Sequence, residues 1–274
     1  METLWEAYAV KYARVDARTR GNNFINDDDH AGPMPIEFFV WVLKDPESGR
    51  AILIDTGFDE AEAKRRGRPI EQHPARAIQA LGVDPETITD VVVTHLHFDH
   101  AGSLDAFPNA RFHLQEAEMA YATGPCMCHG PLQLPFTADH VCQMVRHVYS
   151  GRVVYYDGDG EVAPGVTVHC IGGHSRGLQA VRVKTREGWM CIASDASHFY
   201  ENYLLAKPFV LVVDVEDMLD GFKTIQRLAS APHLVIPGHD PMTRAIFPEV
   251  AGGFVNRLDV PVKGFDPLGA GATS

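Results

Sequence analysis

Short apolar runs separated by turn residues recur along most of the chain, and they predict β-strands. Each run is rich in Val, Ile, Leu or Phe. Ten runs are predicted as strands: EFFVWVL (37–43), AILIDTG (51–57), DVVVTH (90–95), RFHL (111–114), VVYY (153–156), VTVHCIGG (166–173), AVRVKT (180–185), WMCIASD (189–195), FVLVVD (209–214) and LVIPGH (234–239). Four intervening segments are typical of helices: HPARAIQALG (73–82), LQEAEMAYA (114–122), ADHVCQMVRHVYS (138–150) and VEDMLDGFKTIQRLAS (215–230). The alternation of the two predicts an α/β fold.

The chain has no fixed-period repeat and no internal linker rich in Pro, Gly and Ser. We therefore expect a single domain over residues 1–274, built from two βα-rich halves at approximately 1–150 and 151–262. The segment 124–150 has a mixed composition, and we expect it to form a cap over a functional site. The tail 263–274 is expected to be loosely ordered, as chain ends commonly are.

Composition and charge exclude several classes of protein. The 274 residues are 45% hydrophobic and 22% charged, which is typical of a globular chain. The net charge is −12 and basic residues are scattered, so we expect no nucleic-acid partner. The amino-terminal segment lacks signal-peptide features and no run approaches the roughly 18 apolar residues of a membrane span, which predicts a cytoplasmic protein. The odd number of cysteines predicts free thiols in a reducing compartment: Cys126, Cys128, Cys142, Cys170 and Cys191.

The stretch THLHFDHAG (94–102) concentrates groups that bind metals. His95 and His97 are two residues apart, so in an extended backbone both imidazoles point to one side and can share a metal. Asp99 and His100 follow where the chain is expected to turn, with Gly102 relaxing the backbone, and can face a second point nearby. The stretch therefore predicts two adjacent metal positions.

Three further metal-binding side chains occur where predicted strands end. They are His174 in CIGGHSRG, Asp195 in CIASDASH and His239 in VIPGHDP. In α/β folds the loops at the carboxyl ends of strands gather functional side chains, because these loops vary while the sheet holds their ends in place. We therefore expect these residues to complete the predicted site.

These motifs resemble those of the metallo-β-lactamase-fold hydrolases. THLHFDHAG is accompanied in the family's order by four more motifs that span residues 53 to 240: LIDTG (53–57), GGHS (172–175), ASDA (193–196) and PGHD (237–240). The resemblance implies an αββα sandwich in which two βα-rich halves pack sheet to sheet. Within the family, the Asp-Ala-Ser element that begins at Asp195 looks most like the N-acyl homoserine lactonase branch.

The resemblance also implies a ligand set for two divalent metal ions. His95, His97 and His174 would bind one ion, while a second set would bind the other and comprises Asp99, His100 and His239. Asp195 would bridge both ions, and Asp55 would orient the ligand histidines. Zinc is the expected metal because the site is rich in nitrogen, although Mn, Fe or Co suit the same ligands.

One position departs from the lactonase pattern. Lactonases of this branch resemble Asp-Ala-Ser-Tyr, whereas this chain has His198 where the tyrosine stands. An imidazole can donate a hydrogen bond or a proton near neutral pH, so we expect His198 to act with Asp99 in catalysis. Tyr200 is the alternative phenolic donor. His129, beside Cys126 and Cys128 in the cap, is expected to contact substrate, since the partner spacing for a separate zinc site is missing.

The predicted function is hydrolysis of a lactone ring ester, either of an N-acyl homoserine lactone or of a catabolic lactone. A metal-bridging hydroxide would attack the carbonyl, and the metals would hold the oxyanion. Other esters, a glyoxalase II-like thioester, a β-lactam and a phosphodiester remain as alternative substrates, as does a metal-binding module without catalysis. The partner is expected to be a small-molecule substrate with no membrane or nucleic acid, and a homodimer is left open.

Overall fold

A computed structural model describes residues 3–269 of the chain. The strands are β1 (Glu6–Val15), β2 (Ile36–Lys44), β3 (Ala51–Ile54), β4 (Asp90–Val92), β5 (Arg111–Gln115), β6 (Val153–Tyr156), β7 (Gly160–Ala163), β8 (Val166–Cys170), β9 (Gln179–Thr185), β10 (Gly188–Ser194), β11 (Val235–Pro237), β12 (Glu249–Ala251) and β13 (Val255–Arg257). The α-helices are α1 (Glu60–Arg66), α2 (Pro74–Ala77), α3 (Glu116–Ala122), α4 (Gly130–Gln133), α5 (Ala138–Tyr149), α6 (Tyr200–Leu205), α7 (Val215–Leu228) and α8 (Met242–Ile246). Within residues 3–269, no helix is long and apolar enough to cross a membrane.

The strands form two sheets. The first has eight strands in the order β12-β13-β1-β2-β3-β4-β5-β6, and the second has five in the order β11-β10-β9-β8-β7. The pairs β3–β4, β4–β5, β5–β6 and β10–β11 are parallel. Because β6 and the late strands β12 and β13 belong to the first sheet, the predicted division at residue 151 does not coincide with a boundary between the sheets.

Strand β2 shows how the sheets are stacked. Its side chains alternate between two faces, as the period of a strand requires. Phe39 and Trp41 enter a core that also contains residues of β8, β9 and β10, and this core fills the space between the sheets. Phe38 and Val40 enter a second core with residues of α2 and α5. A third core packs α6 and α7 on the outer face of the second sheet. The order helix, sheet, sheet, helix confirms the predicted αββα sandwich.

The predicted strand FVLVVD (209–214) is wrong, because this segment has no strand pairing. Phe209 is fully buried against the core beside α7. The carbonyl of Leu211 accepts a hydrogen bond from Nδ1 of His174 at 2.7 Å. The apolar residues of this segment therefore cover a functional loop instead of extending a sheet. A short apolar run in the sequence has the same pattern in either case.

The amino-terminal strand β1 lies in the interior of the first sheet, although its apolar pattern did not predict a strand. It pairs with β2 on one side and β13 on the other. Lys11 is buried within it, and its charge is balanced by Glu71 at 2.7 Å. A lysine and several alanines interrupt the apolar run, and the burial of the segment is evident only from its neighbours.

Only part of the predicted cap, 124–150, lies at the site described below. Helix α5 packs into the core on the outer face of the first sheet. The residues between α4 and α5 reach the site, where the carbonyl of Pro135 accepts a hydrogen bond from the Phe98 amide at 2.9 Å. In the predicted loose tail, 263–274, Phe265 packs against Tyr200, and residues 270–274 lie outside the described part of the chain.

Candidate metal centre

The residues predicted to bind metal lie in loops that follow strands. His174 follows β8, Asp195 directly follows β10, and His239 follows β11. The expectation that these side chains gather at one edge of the sandwich is supported, because their ligand atoms approach one another within 4.8 Å in overlapping groups. Stacking of the two sheets brings together ligand residues that are more than 100 residues apart in sequence.

His95 and His97 do not lie in a strand, although their spacing predicted one. Strand β4 ends at Val92, and the chain then leaves the sheet. The cause is visible at Thr94, whose amide donates to Oδ1 of Asp55 at 2.7 Å instead of pairing with a neighbouring strand. The two histidines are therefore presented by a loop that the Asp55 carboxylate holds in place.

The candidate ligands form two sets that share one carboxylate. Each set has three side chains whose ligand atoms lie within 4.8 Å of one another: a first set of His95, His97 and His174, and a second set of Asp99, His100 and His239. Oδ2 of Asp195 lies 3.2 Å from Nε2 of His174 in the first set. Oδ1 of Asp195 lies 3.2 Å from Nε2 of His239 and 3.4 Å from Nε2 of His100 in the second set. One carboxylate thus turns one oxygen toward each set.

Several ligand atoms of this cluster are buried and have no hydrogen-bond partner in the described chain. They are Nε2 of His95, His100 and His174 and Oδ1 of Asp195. A buried polar atom without a partner costs about 1–3 kcal/mol, so four at one place require an explanation. Imidazole nitrogen and carboxylate oxygen are the donors that zinc and similar cations prefer. The residues therefore fit divalent metal ions.

Burial and charge set the protonation of the two sets differently. Burial, assisted by neighbouring histidines, holds the pKa of His95 and His97 well below the usual value, which leaves neutral imidazoles with free lone pairs. Burial also disfavours charge on His100, but the carboxylates of Asp195 and Asp55 outweigh it and raise its pKa well above the usual value. The second set therefore favours a positive charge, which a bound cation would supply.

Asp55 links the two ligand sets through hydrogen bonds. Its Oδ2 accepts hydrogen bonds from Nδ1 of His100 at 2.7 Å and from Oγ1 of Thr94 at 2.8 Å. Oγ1 of Thr94 lies 3.1 Å from Nδ1 of His95, and Oγ of Ser194 lies 3.3 Å from Asp55 Oδ2. Both Asp55 and Ser194 have left-handed backbones, with φ of 61° and 46°. Strain of this kind persists where surrounding contacts determine the conformation, and here those contacts aim ligand histidines.

Glu118 is a second organiser of the site that sequence reasoning missed. Its fully buried carboxylate accepts hydrogen bonds from the Leu96 amide at 2.9 Å, the Ser175 hydroxyl at 2.8 Å and the Gly177 amide at 3.0 Å. It therefore ties the loop of the first two histidines to the loop of His174. A glutamate in a predicted helix carries no sequence signal that distinguishes this role from an exposed position.

Two glycines allow the loops to approach so closely. A Cβ at Gly238 would lie 2.5 Å from Oδ1 of Asp195 and 2.8 Å from the carbonyl oxygen of Ser194. A Cβ at Gly102 would lie 2.6 Å from the carbonyl oxygen of Phe98. The predicted need for glycine at position 102 thus has a physical basis in close packing of backbone, and Gly238 has the same role beside the shared carboxylate.

A cavity of about 300 Å³ lies beside the two sets. Its polar lining includes His97, Asp99, Asp195, His198 and His239. Its apolar lining comes from both halves of the chain: Ile36, Phe98, Leu134, Pro135, Val210 and Leu211. Arg18, Arg66 and Arg68 also line it, and sequence reasoning did not single them out. The volume suits a small ligand with an apolar portion.

His198 lies in this cavity, whereas the other two predicted substrate contacts do not. Nε2 of His198 is 2.9 Å from Oδ2 of Asp195, and its ring stacks on Phe209 with the centroids 3.8 Å apart. Tyr200 is fully buried in the core beside α7, so the prediction that it contacts substrate is wrong. His129 is exposed at the start of α4 and does not line the cavity. Proximity in sequence to the site motifs did not determine which side these residues face.

The chain belongs to the metallo-β-lactamase superfamily, since that family's model matches residues 39–239. This confirms the predicted family. An N-acyl homoserine lactonase of Bacillus cereus is 28% identical to the chain over 218 residues, which cover 73% of this chain and 81% of the relative. The protein is therefore a metallo-β-lactamase-fold hydrolase related to N-acyl homoserine lactonases.

Solved structures share the same fold. A structure of an N-acyl homoserine lactone hydrolase, with the product N-hexanoyl-L-homoserine bound at the catalytic metal center, superposes with a TM-score of 0.73 at 21% identity. That match covers 89% of this chain and 96% of the other. AidC, a dizinc quorum-quenching lactonase, superposes with a TM-score of 0.69 at 14% identity, covering 95% and 96% of the two chains. At these identities the likeness concerns the fold.

Proposed function

We propose that this protein is a single-domain, metal-dependent hydrolase that opens the ester ring of a small lactone. The observation that carries the proposal is the pair of oxygens on Asp195, which face two separate sets of buried ligand atoms. The relationship to N-acyl homoserine lactonases supports a lactone as the substrate class. The 300 Å³ cavity supports a compact substrate, either a short-chain N-acyl homoserine lactone or another lactone of similar size.

In this proposal each set would hold one divalent ion. The first ion would be held by His95, His97 and His174, and the second by Asp99, His100 and His239. Asp195 would contribute to both sites. Zinc is the proposed metal because five of the seven ligands are imidazoles. Two such ions, when bound, would supply a hydroxide at neutral pH and polarise the ester carbonyl.

The remaining work of hydrolysis falls to groups of the chain. Asp99 belongs to the second set and also lines the cavity, so it is proposed to contribute directly to the catalytic site. His198 lines the same cavity, and burial lowers its pKa to about 3, so the ring is neutral at neutral pH. It is proposed to donate a hydrogen bond to the departing oxygen, while water supplies the proton. The apolar lining excludes water from the acyl portion of the substrate and positions it.

Metal content and a substrate panel test this function together. We expect two metal ions per chain by elemental analysis, and hydrolysis of N-hexanoyl-homoserine lactone or a simple γ-lactone in preference to a β-lactam, a glutathione thioester or a phosphodiester. Removal of metal by a chelator should abolish turnover, and zinc should restore it. Two bound metals with no turnover of any ester would instead support a metal-binding module without catalysis.

The role of His198 can be separated from metal binding. The substitution His198→Ala is expected to lower kcat for the lactone about tenfold, the effect of losing one hydrogen bond to the departing oxygen. Metal content should remain at two ions per chain. An exposed histidine elsewhere supplies the control, and His30→Ala should keep the wild-type kcat. Wild-type turnover in His198→Ala would refute the proposed hydrogen bond to the departing oxygen.

A further inference from the structure

Three arginines line the cavity beside the metal centre, and they differ in how their charges are balanced. Arg66 is paired with the carboxylate of Glu62, and its guanidinium also donates to the carbonyl of Leu134 at 3.1 Å. Arg18 and Arg68 have no carboxylate partner within ion-pairing distance in residues 3–269. Two cationic side chains therefore line a small cavity without a fixed counter-charge.

Arg18 is held in place and still has donors to spare. Its Nε donates to Oδ1 of Asn23 at 2.9 Å, and its Nη2 donates to the carbonyl of Asn22 at 2.7 Å. A guanidinium has five N–H donors, so these two bonds leave three. Burial and the nearby charge of Arg68 lower the pKa of Arg18 to about 10, which still leaves it cationic at neutral pH. The lowered pKa reflects burial first and the like charge of Arg68 second.

Arg68 is held by aromatic faces instead of by acids. Its guanidinium carbon lies 5.1 Å from the ring centroid of Phe98 and 5.7 Å from that of Phe38. Such contacts orient the planar group while leaving its N–H donors free. No side-chain hydrogen bond of Arg68 occurs in the described part of the chain, so the full set of donors is available to a ligand.

The carboxylates that line this cavity are not available to neutralise the two arginines. Asp99 and Asp195 are the carboxylates that line the same cavity. Both belong to the candidate metal centre, and a carboxylate that binds a divalent ion no longer compensates a guanidinium. With metal bound, the cavity of this strongly acidic protein, whose net charge is −12, is therefore locally cationic.

We propose that the substrate carries a carboxylate at the end away from its scissile ester, and that Arg18 and Arg68 bind this carboxylate. The proposal rests on the proposed lactone hydrolysis and narrows its substrate class to anionic lactones or esters. Planar guanidinium groups match a carboxylate with paired hydrogen bonds, and two of them with free donors form a site for it. A neutral acyl chain would leave both charges without a partner.

A matched pair of lactones tests the preference on the zinc-loaded protein. N-hexanoyl-homoserine lactone and N-adipoyl-homoserine lactone have acyl chains of equal length, and only the second ends in a carboxylate. We expect kcat/KM for the adipoyl lactone to exceed that for the hexanoyl lactone at least about tenfold, as one charge-assisted hydrogen bond can provide. Added salt should reduce the ratio of the two values.

Variants test whether the adipoyl-to-hexanoyl ratio of kcat/KM depends on the two arginines. Arg68→Gln is expected to bring the adipoyl-to-hexanoyl ratio close to one, and Arg18→Gln to lower it as well. Because Arg18 also holds the loop at Asn22, Arg18→Lys serves as a second variant that keeps the charge and should retain part of the ratio. Arg186→Gln removes an exposed arginine outside the cavity, and it should keep the wild-type ratio. A wild-type ratio near one, or a ratio that Arg68→Gln does not change, would overturn the proposal.

A binding measurement separates this proposal from the proposed hydrolysis. By calorimetry, adipate is expected to bind the zinc-loaded protein at least about tenfold more tightly than hexanoate, since only adipate offers a second carboxylate. Arg68→Gln should remove the difference. Adipate selectivity without turnover of either lactone would refute lactone hydrolysis and retain the anion site. Turnover of both lactones together with equal binding of adipate and hexanoate would refute the anion site and retain lactone hydrolysis.

Discussion

Replacing Asp195 with asparagine is expected to cause the largest loss of activity of any single substitution in this protein. The two carboxylate oxygens face the two ligand sets at 3.2 Å, so one side chain is shared between both proposed ions. An amide keeps the shape but loses the charge, and its nitrogen cannot act as a ligand for whichever set it faces. Since disturbing a partner behind a ligand already costs about 10–100-fold, kcat/KM should fall by more than about 100-fold in Asp195→Asn.

The measurement combines lactone kinetics with metal content. Metal content should fall below two ions per chain, while the circular dichroism spectrum stays that of the wild type, because the substitution is nearly isosteric. Asp220→Asn is the matched control, since Asp220 is exposed on α7 and its carboxylate pairs with Lys223. A variant that keeps two metals and most of its activity would refute the bridging role proposed for Asp195.

Replacing Asp55 in Asp55→Asn is expected to weaken metal binding about 10–100-fold, the usual cost of losing a partner that orients a ligand. Asp55 contacts His100 directly at 2.7 Å and reaches His95 through Thr94, so one substitution disturbs a ligand in each set. An asparagine amide nitrogen facing Nδ1 of His100 would place two donors together. Competition against a chromogenic chelator measures the change in affinity.

Saturating metal distinguishes an orienting role from a direct one. If Asp55 acts through the histidines, a high zinc concentration should restore much of the activity of Asp55→Asn. Asp45→Asn is the control: Asp45 lies in the turn between β2 and β3, and its hydrogen bonds are local. Unchanged zinc affinity in Asp55→Asn would refute the orienting role, and Asp55 would then serve only in the turn at the end of β3.

Individual residues show where sequence reasoning succeeded and where it failed. His95, His97, Asp99 and His100 stood out because a compact run of donors is rare without a metal, and their ligand atoms do meet. Tyr200 was selected as a phenolic donor close to His198 in sequence, yet α6 places it in the core. Glu118 and Arg68 gave no signal, because a single charged residue has the same appearance in sequence whether it is buried, paired or exposed.

The sequence by itself determined the fold class, the family and the composition of the candidate metal centre. These depend on local patterns: strand periodicity, and donor residues whose type and spacing are readable without a partner. Only the tertiary structure decided which oxygen of Asp195 faces which set, why β1 lies in the interior of a sheet, and that Arg18 and Arg68 share one cavity without a counter-charge. The physical reason is that burial and charge balance are properties of neighbours in space, and stacking of the two sheets brings those neighbours from distant parts of the chain.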